Sequence, residues 1–315
     1  MIDLVSIGSL TLDLFFQDES LTIQKDRFYL AIGGKYVVEK FVEGVGGGGG
    51  NIAVGVARAG KKTAVWGQLG QGGVSKLIRE RLVAEHVDCS LLEGQEAFTN
   101  ISTILLSPKG ERTIINHRSH EVLLSLSQER KDTIANAQFL YLGNMPELSI
   151  RFRTEILDHA RKNHVKTVLN MGVKDCRLGR NIISPLLVLS DYVIINRHEL
   201  ADILVTPANE LLLREVNYHT QLGIMETSVL VVTDGEYGSY AYTPEQIMYQ
   251  PIIPVEKVID TTGAGDAFTS GFLAAQLYDK SLQESLLAGA RNSASIIQVI
   301  NAQTGLLTEK ELLTH

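Results

Sequence analysis

The distribution of apolar residues in the second half of the chain predicts a parallel β-sheet. Short, uninterrupted apolar runs occur at residues 139–142, 167–169, 192–195 and 229–232, and stretches with helical spacing separate them. Continuous runs of this length are typical of strands covered on both faces, because a half-exposed strand would alternate apolar and polar positions. We therefore expect an α/β domain with a mostly parallel sheet.

Polar or flexible residues follow each of these apolar runs. In chain order they are Asn144, Asn170, Asn196 and the segment Thr233-Asp-Gly235. In open α/β sheets, ligands bind outside the carboxyl ends of the strands. The pattern therefore predicts that one edge of the sheet forms the functional site.

Two segments do not fit the α/β pattern. Residues 20–42 alternate irregularly, and residues 98–116 contain two apolar runs around a Pro108-Lys-Gly110 turn, which predicts a β-hairpin. Near the N-terminus, Asp13 lies inside the apolar stretch 12–16. On an alternating strand such a residue usually points outward to solvent.

The composition predicts a soluble, cytoplasmic protein. The chain has 315 residues, 44% of them hydrophobic, and a formal net charge of −7, which argues against a nucleic-acid partner. Its mean hydropathy is +0.07, no apolar run reaches the roughly 20 residues needed to span a bilayer, and the N-terminus shows no signal-peptide pattern. Cys89 and Cys176 lie far apart, as expected in a reducing compartment.

A glycine-rich turn leads into a predicted helix at residues 260–275. Gly263-Ala-Gly265 precedes Asp266, and Phe268, Phe272 and Ala275 follow at helical spacing, which predicts an amphipathic helix. Small residues before a helix leave its first N–H groups open to an anion. Because a carboxylate gains little from holding an anion, we interpret Asp266 as a base that takes a proton from an attacking hydroxyl. The alternative is an ordinary helix N-cap.

A second glycine-rich segment covers residues 44–51. It ends in Asn51 and runs directly into a predicted helix of small residues, 52–59, and then a strand, 63–66. A flexible linker is the alternative, but a linker would not lead straight into a packed helix. Glycines at this position allow a substrate to approach the backbone closely.

These two segments resemble the two signatures of the ribokinase-like (PfkB) family of carbohydrate and nucleoside kinases. The first signature matches residues 44–60 and the second matches residues 260–275, and the resemblance extends over nearly the whole chain. It implies a single domain, 1–315, with a three-layer α/β/α ribokinase-like fold and a mostly parallel sheet. A small β-sheet lid would be formed by about residues 12–42 and 98–118. The implied activity is ATP-dependent phosphorylation of a hydroxymethyl group, with the lid excluding water.

The resemblance also implies roles for individual residues in phosphoryl transfer and substrate binding. Asp266 would be the catalytic base, and the amides of Gly263, Ala264 and Gly265 would hold the transferring phosphoryl group. The implied substrate contacts are Asp13, Gly46, Gly47, Asn51 and Asn144.

Nucleotide and cation contacts are implied in the same way. The nucleotide contacts would be Asn196, Thr233, Gly235, Gly238 and Asn292. Glu199 would organise Mg²⁺ through water, although a helix cap is the alternative for Asn196 and Glu199. Asp260 and Thr262, with backbone carbonyls near Asn301, would form the K⁺ site of potassium-activated members. Asn301 stands where the family has Gly, and Asn tolerates the left-handed conformation of such a turn.

Departures from the family pattern leave the acceptor open. Gly48 stands where ribokinases proper carry Lys, and Gly72 where the family usually has Asp. The open acceptors are ribose, a hexose and a sugar acid. The alternatives are a nucleoside kinase of the same family and a non-catalytic sugar or nucleotide sensor. We expect a small-molecule substrate, no nucleic-acid or membrane partner, and a homodimer formed through the lid, because exposed β edges invite pairing.

Overall fold

The computed structural model describes residues 2–21, 23–24, 27–96, 98–107, 111–119 and 122–314, so the predicted 108–110 turn lies outside it. The strands are β1 (Ile2–Ile7), β2 (Thr11–Gln17), β3 (Ile23–Gln24), β4 (Arg27–Phe28), β5 (Lys40–Gly46), β6 (Thr63–Trp66), β7 (Gln68–Leu69), β8 (Glu93–Gly94), β9 (Ile101–Leu106), β10 (Arg112–His117), β11 (Ala137–Leu142), β12 (Lys166–Leu169), β13 (Tyr192–Asn196), β14 (Val229–Thr233), β15 (Ser239–Tyr242) and β16 (Ile247–Gln250). The helices are α1 (Gly48–Arg58), α2 (Gly73–Ala84), α3 (Gln128–Ala135), α4 (Ile150–Lys162), α5 (Val173–Cys176), α6 (Arg180–Leu187), α7 (Arg197–Leu204), α8 (His219–Leu222), α9 (Ala264–Leu277), α10 (Leu282–Ile296) and α11 (Glu309–Leu313).

The main sheet has 8 strands in the order β16-β15-β14-β13-β12-β11-β1-β6. The strands from β6 across to β14 are parallel, and β15 and β16 continue the sheet in antiparallel orientation. All four predicted apolar runs lie in β11 to β14. The predicted mostly parallel sheet is therefore confirmed.

Helices cover both faces of this sheet. In β11, Leu140 and Leu142 pack into a cluster with Ile156 of α4, on the face that also carries α3, α6 and α7. Phe139 and Tyr141 point to the opposite face and pack into a cluster with helices α1, α9 and α10. Because successive side chains of a strand point to opposite faces, each run needs apolar residues at every position. The three-layer α/β/α architecture is confirmed.

Helix α9 is buried on more sides than an amphipathic helix would be. Ala267–Ala275 and Leu277 are all buried, because α1 and α10 flank the helix while the sheet lies beneath it. The small residues permit this close packing: a Cβ added at Gly271 would lie 2.7 Å from the carbonyl oxygen of Ala288 in α10. The prediction of a single apolar face was wrong for this helix.

A second, 4-stranded sheet forms the lid, in the order β10-β9-β2-β5. Strands β2 and β9 are parallel, whereas the outer pairs, β9 with β10 and β2 with β5, are antiparallel. The strands come from the two predicted lid segments, about 12–42 and 98–118, but β2 begins at Thr11, β5 continues to Gly46, and residues 29–39 are irregular rather than strand. Edge strand β10 is exposed at every position. The homodimer through the lid stays a prediction, which the molar mass in solution would test.

None of the described helices is both long enough and apolar enough to cross a membrane.

A buried ion pair fastens α4 to α5 beside the carboxyl end of β12. The guanidinium of Arg153 donates two hydrogen bonds to Asp175, of 2.6 and 2.9 Å. The two side chains are only 2% and 3% exposed. Removing one partner would leave the other charge buried without compensation.

We expect Asp175→Ala to lower the free energy of unfolding by about 3–5 kcal/mol. Its control is Asp158→Ala, which removes a 2.6 Å pair with Lys162 whose side chains are 72% and 43% exposed, and which should cost less than about 1 kcal/mol. Equilibrium unfolding in urea measures both. Equal losses in the two variants would contradict the assignment of a stabilising role to the buried pair.

Candidate active site

A cavity of about 290 Å³ lies between the lid and the carboxyl ends of the main-sheet strands. Gly8 and Ser9 follow β1, Asn144 follows β11, and Asn170 follows β12, and all of them line it. The first turns of α1 and α9 close the cavity, and the lid strands cover it. The structure thus brings the two glycine-rich segments and two of the polar strand ends into one place.

Three lid strands present a row of polar side chains to this cavity. Asp13 of β2 is in register with Ser102 of β9, which is in register with Asn116 of β10, and all three line the cavity. Asp13 is only 7% exposed, so the alternative that it points outward to solvent was wrong. Its Oδ1 accepts a 2.9 Å hydrogen bond from the Thr11 hydroxyl.

The environment of Asp13 is both buried and tightly packed. Burial raises the pKa of its carboxyl, while the hydroxyls of Ser102 and Thr11 and the guanidinium of Arg118 act to lower it. A Cβ at Gly46 would lie 1.9 Å from Asp13 Oδ2, so only glycine fits beside the carboxylate. Gly46 therefore leaves the room that the Asp13 carboxylate occupies.

Asp266 occupies the first turn of α9 with its carboxylate in the cavity. The N-cap position belongs to Gly263, so the alternative of an Asp266 cap was wrong. Asn51 Nδ2 donates a 2.8 Å hydrogen bond to Asp266 Oδ2. Burial raises the pKa of Asp266, the Asn51 hydrogen bond lowers it, and the nearby charge of Asp13 raises it. A raised pKa makes the carboxylate a stronger proton acceptor than an exposed aspartate, as a general base requires.

The turn before α9 leaves backbone donors free. Gly263 has a φ of 78°, and a Cβ there would lie 2.5 Å from that of Ala302. Among the described residues, the amide of Ala264 donates a 3.3 Å hydrogen bond to Thr261, whereas the amides of Gly263, Gly265 and Asp266 have no acceptor. Free amides at a helix N-terminus can hold an anion.

Gly48 leaves open space next to Asp266. A Cβ at this position would lie 3.7 Å from Asp266 Oδ1 and 3.8 Å from the Tyr141 hydroxyl. Burial raises the pKa of Tyr141 well above its usual value, with further contributions from Asp266 and Glu199, so its hydroxyl stays neutral. A longer side chain at position 48 would enter the cavity here, and its absence enlarges the space beside the carboxylate.

Asn196 and Glu199 form a capping box at the start of α7. Glu199 N donates to Asn196 Oδ1 at 2.9 Å, and Asn196 N donates to Glu199 Oε2 at 2.8 Å, so the helix cap expected as the alternative is present. Burial raises the pKa of Glu199 to about 7, opposed by its hydrogen bonds with Asn196. Oε1 has no hydrogen bond within the described chain. One free carboxylate oxygen fits Mg²⁺, which keeps most of its waters.

The loop after β14 is fastened to α7. The guanidinium of Arg197 donates to both carboxylate oxygens of Asp234, at 2.5 and 2.7 Å. Asp234 lies between Thr233 and Gly235, so the pair holds these predicted nucleotide contacts beside the capping box. Gly238, with a φ of 95°, ends the same loop.

Asn292 is buried and does not line the cavity. Its side chain is 1% exposed; it donates to the carbonyl of Ala267 at 2.9 Å and accepts from Leu307 N at 2.9 Å. The amide thus ties α10 to α9 and to the C-terminal segment. We correct its assignment from nucleotide contact to packing residue.

Asp260 carries a buried oxygen without a donor. Its side chain is 1% exposed, and Oδ1 accepts from Thr262 N and Oγ1 at 2.9 and 2.7 Å. Oδ2 has no hydrogen-bond partner in the described part of the chain. Asn301, across the turn, has a φ of 94°, as its predicted conformation requires. A buried carboxylate oxygen without a donor fits a cation.

The described residues contain no cluster of three or more His, Cys, Asp or Glu that could hold a metal.

Residues 1–309 match the sequence model of the pfkB family of carbohydrate kinases. The chain belongs to this family. A ribokinase from Staphylococcus aureus (strain COL) is 28% identical over 311 residues, which cover 96% of this chain and 95% of that protein. A 5-dehydro-2-deoxygluconokinase from Bacillus subtilis (strain 168) is 24% identical and is covered over 94% of its length.

The fold of this pfkB kinase is also that of solved structures. Arabidopsis thaliana ribokinase complexed with ribose and ATP superposes with a TM-score of 0.80 at 24% identity, covering 99% of this chain and 98% of that one. Members of the pfkB family are ATP-dependent phosphotransferases, and ribokinase-like sugar or nucleoside kinases are the relatives of this chain.

Several cavity residues of this pfkB kinase carry no motif in the sequence. They are Ser102, Asn116, Arg118, Tyr141 and Asn170, of which only Asn170 was noted, as a strand end. Ser102 and Asn116 could have been found from the hairpin register, since they pair across β9 and β10. Tyr141 lies within an apolar run and gives no signal of its own.

Glu199 makes the stability of this pfkB kinase depend on pH. Native Glu199, with a pKa of about 7 against a usual 4.5, keeps a proton that the unfolded chain releases, so stability falls as pH rises between these values. The free energy of unfolding of Glu199→Gln, minus that of the wild type, should therefore increase when the pH is raised from about 5 to 8 in metal-free buffer. Gln still completes a capping box.

Urea unfolding at both pH values provides the measurement. Glu155→Gln is the control, because Glu155 is half exposed on α4, at 51%. Its substitution should leave the change in unfolding free energy between the two pH values as it is in the wild type. A Glu199→Gln curve that runs parallel to the wild-type curve would rule out the shifted carboxyl.

Proposed function

We propose that this chain transfers the γ-phosphoryl group of ATP to a hydroxymethyl group of a sugar, with Asp266 as the base. The observation that carries the proposal is the position of the Asp266 carboxylate. It faces the same cavity as the polar row of the lid, directly beside the free amides of the α9 turn. A kinase needs these three parts together: groups that hold the acceptor, a base, and donors for the transferring phosphoryl group.

In this proposal, Oδ1 of Asp266 is the proton acceptor. Oδ2 is held by Asn51 at 2.8 Å, whereas Oδ1 faces the open space beside Gly48. The acceptor hydroxyl gives its proton to Oδ1 as its oxygen forms the new bond to phosphorus, and the bond from phosphorus to the leaving ADP oxygen breaks. The free amides of Gly263, Gly265 and Asp266 stabilise the charge on the equatorial oxygens.

The nucleotide side of the proposed site is formed by Asn196, Thr233, Gly235 and Gly238. Its support is their position at the carboxyl ends of β13 and β14, where ligands of open sheets bind, and the Arg197–Asp234 pair that fastens the two strand ends together. Mg²⁺, held through water by Glu199, would neutralise charge on the phosphates.

The acceptor side is formed by Asp13, Ser102 and Asn116 of the lid, with Asn51 and Asn144 below. A carboxylate accepts from two vicinal hydroxyls, and the amides both donate and accept, which suits a polyol. Because Asp13, Ser102 and Asn116 lie on the lid, closure of the lid would complete the acceptor site. It would also exclude water, which suppresses ATP hydrolysis.

Arg118 favours a sugar acid among the open acceptors. Its guanidinium lines the cavity, is exposed, and makes no hydrogen bond or ion pair with the described residues. Gly48 adds space for a larger acceptor than ribose. With an uncharged sugar, this cation has only the longer-range attraction of the Asp13 carboxylate, whereas a carboxylate at the end of the acceptor would bind it in a bidentate manner.

A monovalent cation at Asp260 and Thr262 completes the proposal. The support is the buried Oδ2 of Asp260, which has no donor among the described residues. The site adjoins the α9 turn, so a bound K⁺ would help to hold the free amides in place. The bound K⁺ would thus position the turn and add positive charge near it, without taking part in bond making or breaking.

Asp266→Asn should reduce kcat by about 10² to 10⁴ while ATP binding and folding are retained. The amide keeps the size of the side chain but cannot accept the proton. Steady-state kinetics measures the loss of kcat. Calorimetric titration with ATP checks that the variant still binds the nucleotide, and circular dichroism checks that it is folded. Asp266→Asn protein with most of the wild-type rate would refute the base assignment.

ADP release should occur with sugar acids in a panel that also contains neutral sugars and nucleosides, and it should be faster in K⁺ than in Na⁺. Arg118→Gln should raise the KM for a sugar acid about 10- to 100-fold, the effect of losing a charge-assisted pair, and should leave neutral sugars unaffected. Arg118→Lys keeps the positive charge, so its KM for the sugar acid should rise less than that of Arg118→Gln.

Turnover with nucleosides alone would favour the nucleoside kinase. A panel without turnover but with ATP bound would favour the non-catalytic sensor. Equal effects of Arg118→Gln on charged and neutral acceptors would remove the argument for a sugar acid.

A further inference from the structure

A chain of side-chain amides leads from the C-terminal turn to Asp266. Asn51 Nδ2 donates to Asp266 Oδ2 at 2.8 Å, and Gln303 Nε2 donates to Asn51 Oδ1 at 3.0 Å. Both amides are buried, with Asn51 3% and Gln303 8% exposed. The resemblance places Gln303 in the same turn as Asn301 but implies no role for its side chain, and Gln303 does not line the cavity.

The main chain of Gln303 is held from both sides. Its N–H donates to Asn301 Oδ1 at 3.0 Å, and its carbonyl accepts from Arg58 Nη1 at 2.5 Å. Arg58 is itself paired with Glu85 at 2.6 Å. A glycine at position 301 could not provide the first of these bonds, so the departure at Asn301 helps to fix Gln303.

The direction of this chain of hydrogen bonds depends on the charge of Asp266. An ionised carboxylate only accepts, so the NH₂ group of Asn51 must face it and the Asn51 oxygen must face the NH₂ group of Gln303. If the Asn51 amide turned over, its oxygen would face the carboxylate, and two acceptors would be buried in contact. A donor at position 303 therefore stabilises the productive orientation.

We propose that Gln303 is a positioning residue for Asp266: its donation to Asn51 Oδ1 holds the Asn51 amide in the orientation that binds Oδ2 and leaves Oδ1 free for the acceptor. The proposal rests on the proposed function, in which Asp266 is the base. Gln303 contacts neither the acceptor nor the nucleotide.

Gln303→Glu tests the polarity of the chain, because the new carboxylate has nearly the same shape but cannot donate. The Asn51 amide can donate to the new carboxylate only by turning over, and Asp266 then loses the hydrogen bond that favours its ionised form. We expect kcat to fall about 10-fold or more, less than the ~10² to 10⁴ for loss of the base itself. The acidic limb of the kcat–pH profile should move to higher pH.

Gln303→Met and Gln298→Glu are the matched variants. Methionine removes the donor without adding an acceptor, so the kcat of Gln303→Met should lie between the kcat of the wild type and that of Gln303→Glu. Gln298 is exposed at the end of α10, donates to Ala294 O at 3.0 Å and has no connection to Asp266. The same Gln→Glu change there should leave kcat and its pH profile unchanged.

A second measurement does not depend on turnover. Titration of ¹³C-labelled aspartate carboxyls by NMR, with Asp266 assigned from Asp266→Asn, should give a higher pKa for Asp266 in Gln303→Glu than in the wild type. The other titratable groups around Asp266 are Asp13 of the lid, Tyr141 of β11 and Glu199 of α7. All of them are retained in these variants, and Gln303→Met, which adds no charge, should also raise the pKa of Asp266, because it removes the donor without introducing the new carboxylate of Gln303→Glu.

The two proposals fail in different ways. An active Asp266→Asn protein would sink the base assignment, while the NMR titration would still report on the amide chain. Equal losses in Gln303→Glu and Gln303→Met, with an unmoved acidic limb and an unchanged Asp266 titration, would overturn the positioning role and leave Gln303 as a packing residue.

Discussion

The hydrogen bond between Asn51 and Asp266 joins two glycine-rich segments that lie 215 residues apart in the chain. It forms only because α1 and α9 lie side by side on one face of the sheet with their first turns at the same edge. Small residues make this approach possible, since a Cβ at Gly55 in α1 would lie 2.3 Å from Ser270 Oγ in α9. The cavity, its carboxylate and its free amides all depend on this helix pair.

Burial of carboxylates is the electrostatic cost of the site. Burial raises the pKa values of Asp13, Asp266 and Glu199, and each has few compensating donors. Elsewhere the fold compensates its buried charge directly, as in the Arg153–Asp175 pair. The contrast is what we expect of a binding site, because groups that must meet a substrate or a cation cannot be neutralised by the protein itself.

The lid and the main domain contribute different parts of the proposed chemistry. The main domain carries the base, the amides and the nucleotide loops on strand ends and helix N-termini, which are rigidly packed. The lid carries the polar row that would hold the acceptor, on a sheet whose outer strand is exposed at every position. In the proposed site, a change in a lid residue such as Arg118 would therefore alter the choice of acceptor without moving Asp266.

The sequence alone determined the fold class, the two glycine-rich signatures and the position of the carboxylate that we propose as the base, because these depend on local features: apolar runs of strand length, small residues before a helix, and a carboxylate at a fixed offset. It did not reveal that Gln303 lies behind Asn51, that Tyr141 lines the cavity, or that Asn292 is used up in packing. Each of these depends on which side chains meet across distant segments, and residues 51 and 303 carry no shared pattern. Only the packing of α1, α9 and the C-terminal turn decided those contacts, because hydrogen bonds between distant residues are set by tertiary geometry rather than by spacing along the chain.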